Sequence, residues 1–168
     1  MSNNEMNIAE IGENIINIAK KYNCSAQVSI IELESKDIDV RKGEIEHLLT
    51  SKALSTGVRL FSGKKSTIIS LSGRNFDDMD AKIKTALTDM DYLEDDEAKR
   101  LLDRDEFAGD TIDMELSDDF FDRIETAEVV ESLKKIEKKG LSLSEKIIPS
   151  EMAEFSATKS RFSLFSSR

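Results

Sequence analysis

Arg41 and Arg59 each stand two positions from a glycine, Gly43 and Gly57, inside runs that alternate apolar and polar residues. A guanidinium fork grips a carboxylate through two parallel N–H bonds, so either arginine suits a peptide carboxylate or a partner subunit. The simpler role is a cross-strand or helix-facing ion pair with one of the chain's many acids. Glu44, Glu46 and His47 follow Arg41 closely and offer oxygen and nitrogen donors to a metal completed by outside ligands. An exposed strand face explains the same three residues without special chemistry. The run from Glu94 to Glu97 is acidic but lacks the spaced Asp-x-Asp-x-Asp-Gly pattern of a calcium loop, and reads as a solvated helix start. Cys24 has no His or Lys immediately beside it to lower its pKa and reads as structural. The positions left as possible peptide or partner contacts are Arg41, Gly43, Glu44, Glu46, Gly57 and Arg59, and no catalytic or metal-binding residue is assigned.

The bulk composition narrows the function classes. The 168 residues are 39% hydrophobic and 35% charged, which suits a folded domain with one good core or one core plus an appended piece. A formal net charge of −10 argues against general affinity for nucleic acid, where clustered Lys and Arg must meet phosphate. The one basic stretch, Lys134 to Lys139, falls late in an expected helix, where cations favour the helix dipole and face water. There is no apolar run near the roughly 18 residues of a membrane span and no leader-like segment. A single cysteine forms no internal bridge and suits a reducing cytoplasm.

The elements that must position these residues follow from periodicity. Ile8, Ile11, Ile15, Ile18 and Tyr22 recur at three- and four-residue steps, predicting a helix that stops near Asn23. Period-two alternation then predicts strands at 26–34, 37–42, 44–55, 56–61 and 65–72, with turns at Ser35-Lys36 and Ser62-Gly63-Lys64. Short turns imply antiparallel pairing, because parallel strands need long crossovers. Asn75 suits a helix cap, and Phe76, Met79, Ile83, Leu87 and Met90 form the next stripe. The expectation is an α+β fold, a mainly antiparallel five-stranded sheet with helices packed on one face.

Beyond Asp91 acids crowd the chain, Gly109 interrupts it, and a short helix is expected at 94–102. A third helix is predicted with Thr126 as cap, Val129, Val130, Leu133 and Ile136 as stripe, and Gly140 at its end. The tail from Ser144 alternates again, as two or three strands. The expected division is residues 1–110 as an N-terminal α+β domain and 111–168 as a helix and strand segment leading toward a second domain absent from the sequence.

Two stretches, Val40-Arg-Lys-Gly-Glu-Ile-Glu46 and Ser55-Thr-Gly-Val-Arg-Leu-Phe-Ser-Gly-Lys64, resemble the N-terminal domain of the PmbA/TldD family, also called TldE/TldD and once labelled a modulator of DNA gyrase. The order continues with the 76–90 helix, the acidic segment 95–102, Met114-Glu-Leu-Ser-Asp118, and the closing Phe162-Ser-Leu-Phe-Ser-Ser-Arg168. Glu-Ile-Glu after the glycine and the leucine-containing acidic segment favour the PmbA/TldE branch.

The resemblance implies a cytoplasmic bacterial peptidase system acting on extended or unfolded peptides. In the TldD branch a His-Glu-x-x-x-His helix holds zinc, two imidazoles on one face binding the metal and the glutamate activating water. This sequence departs from that pattern, because His47 is its one histidine. The chain is therefore expected to be inactive alone, with zinc only in a TldD-like partner subunit. A homodimer, and a stand-alone interaction module or gyrase-modulator-type regulator, are the other arrangements to weigh.

Overall fold

Asn7 opens the first helix with a reciprocal cap. Its side-chain oxygen accepts from the Glu10 N–H at 2.9 Å, and its own N–H donates to the Glu10 carboxylate at 3.0 Å. The computed structural model describes residues 7–106, 113–147 and 152–167. Its main elements are α1 (Ile8–Lys21), β1 (Ser25–Arg41), β2 (Glu44–Ser62), β3 (Lys65–Ser72), α2 (Met79–Met90), α3 (Thr126–Leu141) and β4 (Ala153–Ser166). The four strands form one sheet in the order β3-β2-β1-β4.

The α+β class and the antiparallel sheet match expectation, but there are four strands and not five. The expected breaks at Ser35-Lys36 and Ser55-Thr56 do not occur, so four predicted strands merge into β1 and β2. Polar residues that looked like a turn are consumed by partners. Ser35 Oγ lies 2.9 Å from Ser51 Oγ, and the Lys36 ammonium donates to the carbonyls of Phe121 and Ile124 at 3.1 and 3.3 Å. Near the second break, Gly57 serves close approach: a Cβ there would lie 2.8 Å from Ser29 Oγ. The fourth strand is β4, in which the predicted tail strands fuse beside β1. Residues 145–147 form a turn instead of the expected strand.

Two compact units are distinguished. The first comprises residues 1–32, 53–111 and 161–168. Its core joins Ile11, Ile15 and Ala19 of α1, the alternate residues Ala26, Val28 and Ile30 of β1, Leu54, Val58 and Leu60 of β2, and Met79 and Ile83 of α2. Period-two and period-3.6 patterns thus bury one face of each element together. Gly12 admits the Phe165 ring so closely that a Cβ would stand 2.5 Å from it. A two-residue turn at Gly63-Lys64 joins β2 to β3, and Ser62, expected in the turn, instead ends β2 opposite Lys65.

The second unit comprises residues 33–52 and 112–160. Ile38 and Val40 of β1 pack with Val130 and Leu133 of α3 and with Ala153 of β4. Lys42 and Gly43 connect β1 to β2 with φ of 53° and 76°, the two positive values a tight hairpin turn demands.

Four helix details differ from the sequence reading. Asn75 Oδ1 accepts from Asp77 N at 3.0 Å, an Asx turn that delays α2 to Met79. Residues 94–102 form no helix: they present no apolar stripe, and the Asp96 N–H donates instead to the Lys64 carbonyl at 2.8 Å. Thr126 is the first residue of α3, with Glu125 as its cap, and Gly140 lies inside the helix. Ile136 is 62% exposed, while Glu137, one position on, is buried at 7%. The break expected at Gly109, the boundary at 110–111 and Ile148 lie outside the described residues.

Candidate functional site

The β1–β2 hairpin gathers four of the six candidate contact residues. Arg41 ends β1, Gly43 lies in the turn, and Glu44 and Glu46 begin β2. Arg41 Nη1 donates to Glu46 Oε1 at 3.1 Å across the hairpin, and both side chains are nearly half exposed. The ion-pair role open to Arg41 from sequence is therefore realised. A shallow open hollow at this tip is lined by Arg41, Lys42, Glu44, Ile45 and Glu46.

What fixes the tip is a residue that sequence reasoning overlooked. The Glu137 carboxylate, projecting from α3, accepts the Lys42 N–H at 2.7 Å and the Gly43 N–H at 2.8 Å. Both turn donors thus find charged acceptors, and the buried carboxylate finds two donors. Glu137 lies seven positions after Val130 and four after Leu133, on the buried stripe of α3. A glutamate between lysines reads as solvated, and nothing local distinguishes it. Only the arrival of two N–H groups from a distant hairpin makes burial favourable.

From the tip, β2 runs outward as an arm. Residues 44–50 are all exposed, including Ile45, Leu48 and Leu49 at 46–49%. β3 pairs with β2 only over Ser55–Ser62, and the Leu54 carbonyl accepts from Gly73 N–H. Among the described residues, the outer edge of Glu44–Ala53 has no strand beside it. His47 sits in this arm. On the neighbouring strand, hydrogen bonds from Ser156 and Ser35, and more weakly the field of His47, hold the Asp37 carboxyl below the usual carboxylate range.

Gly57 and Arg59 belong to the other compact unit. Arg59 is exposed beside Ile68 of β3, with its guanidinium 5.9 Å from the centroid of Phe61. The acidic run is a solvated surface in which Glu97 pairs with Lys64 at 2.6 Å. Cys24 is buried, its S–H directed to the Phe61 carbonyl at 3.3 Å, and desolvation pushes its thiol pKa up. It is a packing residue.

Zinc is the metal that the family resemblance implies. No three His, Cys, Asp or Glu side chains converge among the described residues, and the single imidazole lies on an exposed strand. The residues present do not fit a catalytic zinc, which needs three protein ligands around one point. No helix among the described residues is long and apolar enough to cross a membrane.

Residues 26–89 match the family described as PmbA/TldA metallopeptidase domain 1. No curated protein matches the chain. Several solved structures share the fold. A Bacteroides thetaiotaomicron protein described as a candidate modulator of DNA gyrase aligns with TM-score 0.73 and 19% identity, covering 93% of this chain and 40% of its own. A Thermotoga maritima protein described in the same terms aligns with TM-score 0.70 and 13% identity, covering 94% of this chain and 35% of its own. TldE from Thermococcus kodakarensis aligns with TM-score 0.69 and 15% identity, covering 92% and 34%. This chain therefore spans 34–40% of the length of these three structures.

Proposed function

From the match of residues 26–89 to PmbA/TldA metallopeptidase domain 1, we propose that this chain is the N-terminal part of a PmbA/TldE-like, non-catalytic subunit in a TldD/TldE-type zinc peptidase. The observation that carries this reading is the single histidine, His47, on an exposed strand of a metallopeptidase-family domain. A zinc centre built on two helix-borne imidazoles has no counterpart in these residues, so the metal and the activated water belong to a TldD-like partner chain. This chain's role is to shape and present: a rigid sheet, a hairpin tip locked by Glu137, and sheet edges whose backbone donors and acceptors suit an extended peptide. Residues 111–168, with α3 and β4, lead from the matched domain toward the remainder of such a subunit. The system is cytoplasmic in this reading, as the lone buried thiol of Cys24 suits.

Reconstitution tests it. The zinc-bearing partner is incubated with an unstructured peptide, with and without the full subunit that contains this chain. Cleavage that depends on the subunit is expected; cleavage unchanged by leaving it out overturns the reading.

A second reading follows from the two neighbours described as candidate modulators of DNA gyrase. As a stand-alone interaction module, a chain of net charge −10 would engage a basic protein surface and not DNA itself. Duplex DNA should then give no gel shift at any salt concentration, while a basic protein partner is retained at low salt and released at high salt.

A further inference from the structure

Residues 118–125 carry their own local structure. The Phe120 N–H donates to Asp118 Oδ1 at 2.9 Å, Arg123 pairs with Asp119 at 2.6 Å, and Phe121–Arg123 close a single 3₁₀ turn. Among the described residues, no backbone-to-backbone hydrogen bond ties 118–124 to another element, and Phe121 is the one buried side chain of the segment.

What fastens the segment is charge. The Lys36 ammonium of β1 donates to the carbonyls of Phe121 and Ile124 at 3.1 and 3.3 Å and lies 5.0 Å from the centroid of the Phe121 ring. The Lys159 ammonium of β4 donates to both carboxylate oxygens of Asp122, at 2.9 and 2.7 Å. That bond, with the fields of Lys159, Lys36 and Lys52 added, holds the Asp122 carboxyl below the usual carboxylate range. Four acids and one arginine lie between Asp118 and Glu125, so the segment repels itself once the lysines let go. Both flanks can turn. Glu115 sits at φ 51°, and Ile124 and Glu125 are extended before α3 begins at Thr126.

We propose that residues 118–125 are a charge-latched strap that opens and closes as one unit, with Lys36 and Lys159 as its latches and Phe121 as its plug. Opening frees the Lys36 ammonium and bares the seat of the Phe121 ring, while α3 and the sheet stay folded. Every contact involved lies within the second compact unit, and the strap is independent of the peptidase reading.

Lysine labelling tests it, in the protein that contains this chain. An amine-acylating reagent is applied in brief pulses, and mass spectrometry compares Lys36 with Lys135, an exposed lysine of α3. Lys36 should label about tenfold more slowly than Lys135 in the unaltered protein, because its ammonium is held by two carbonyls. Lys159→Gln should raise the Lys36 rate about threefold, since losing one exposed ion pair opens the strap more often. Removing a neighbouring cation would by itself raise the Lys36 pKa and slow its labelling, so the sign separates opening from electrostatics. Phe121→Ala should raise the rate further, and Phe121→Leu, which keeps an apolar plug, should raise it less. Amide exchange across Val130–Glu137 of α3 should stay slow in Lys159→Gln and Phe121→Leu. A Lys36 already as fast as Lys135 in the unaltered protein overturns the proposal. So does a Lys36 rate indifferent to Lys159→Gln, which makes the latches independent. An α3 that loses protection in Lys159→Gln also overturns it, because the opening is then global.

Discussion

Glu137 holds the β1–β2 turn from outside the hairpin. Two turn N–H groups donate to one buried carboxylate, so deleting it leaves donors without charged acceptors beside an apolar cluster. Glu137→Ala should lower stability by about 1–3 kcal/mol in urea titration, and a change within error would show that water replaces the carboxylate freely. Asp37 offers a pH signature. Its folded pKa is depressed by Ser156 and Ser35, so its contribution is present above the unfolded carboxyl range near 3.9 and is lost as pH falls through the lower folded value. Asp37→Asn should therefore flatten the decline of the urea midpoint below about pH 4, and an unaltered acid limb would remove Asp37 from the account. Residue roles legible in the sequence are the local ones: Cys24 as packing, and Arg41 as an ion-pair partner, with the acid left open between a cross-strand and a helix-facing one until the structure places Glu46 there. Glu137 was illegible because its reason for burial comes from Lys42 and Gly43, almost a hundred positions away.

Among the elements, those with clean periodicity emerged from the sequence largely as they are: α1, β3, and the apolar stripe of α2. The errors fall where polar residues serve long-range contacts. Ser35 and Lys36 look like a turn and instead bond to Ser51, Phe121 and Ile124, which lets β1 run on without a break. Asn75 looks like a cap and makes an Asx turn. The tail reads as strands without partners because a β-strand's neighbours depend on topology and not on its own pattern. Gly12 shows the same at an interface between elements. Intrinsic propensity favours alanine over glycine in a helix interior by about 1 kcal/mol. The Phe165 ring nevertheless occupies the space a Cβ needs, at 2.5 Å. Gly12→Ala should therefore destabilise the protein by about 1–3 kcal/mol by thermal or urea unfolding, as overpacking does. A stabilised variant would mean that Phe165 moves aside at no cost.

At the scale of the whole chain, the sequence offers one histidine, His47, and the structure places it on an exposed strand. The ordered motif series was enough to suggest the family, and the match over residues 26–89 agrees with it. Stoichiometry and substrate are not readable, because both depend on the shape and charge of assembled surfaces and not on local pattern. In the proposed function, zinc chemistry is contributed by another chain. Calorimetric titration of zinc into this metal-free chain at neutral pH decides the point. The prediction is no stoichiometric binding, with only weak, salt-sensitive heats from the acidic surface. A saturable one-to-one site that is lost in His47→Ala would contradict the claim.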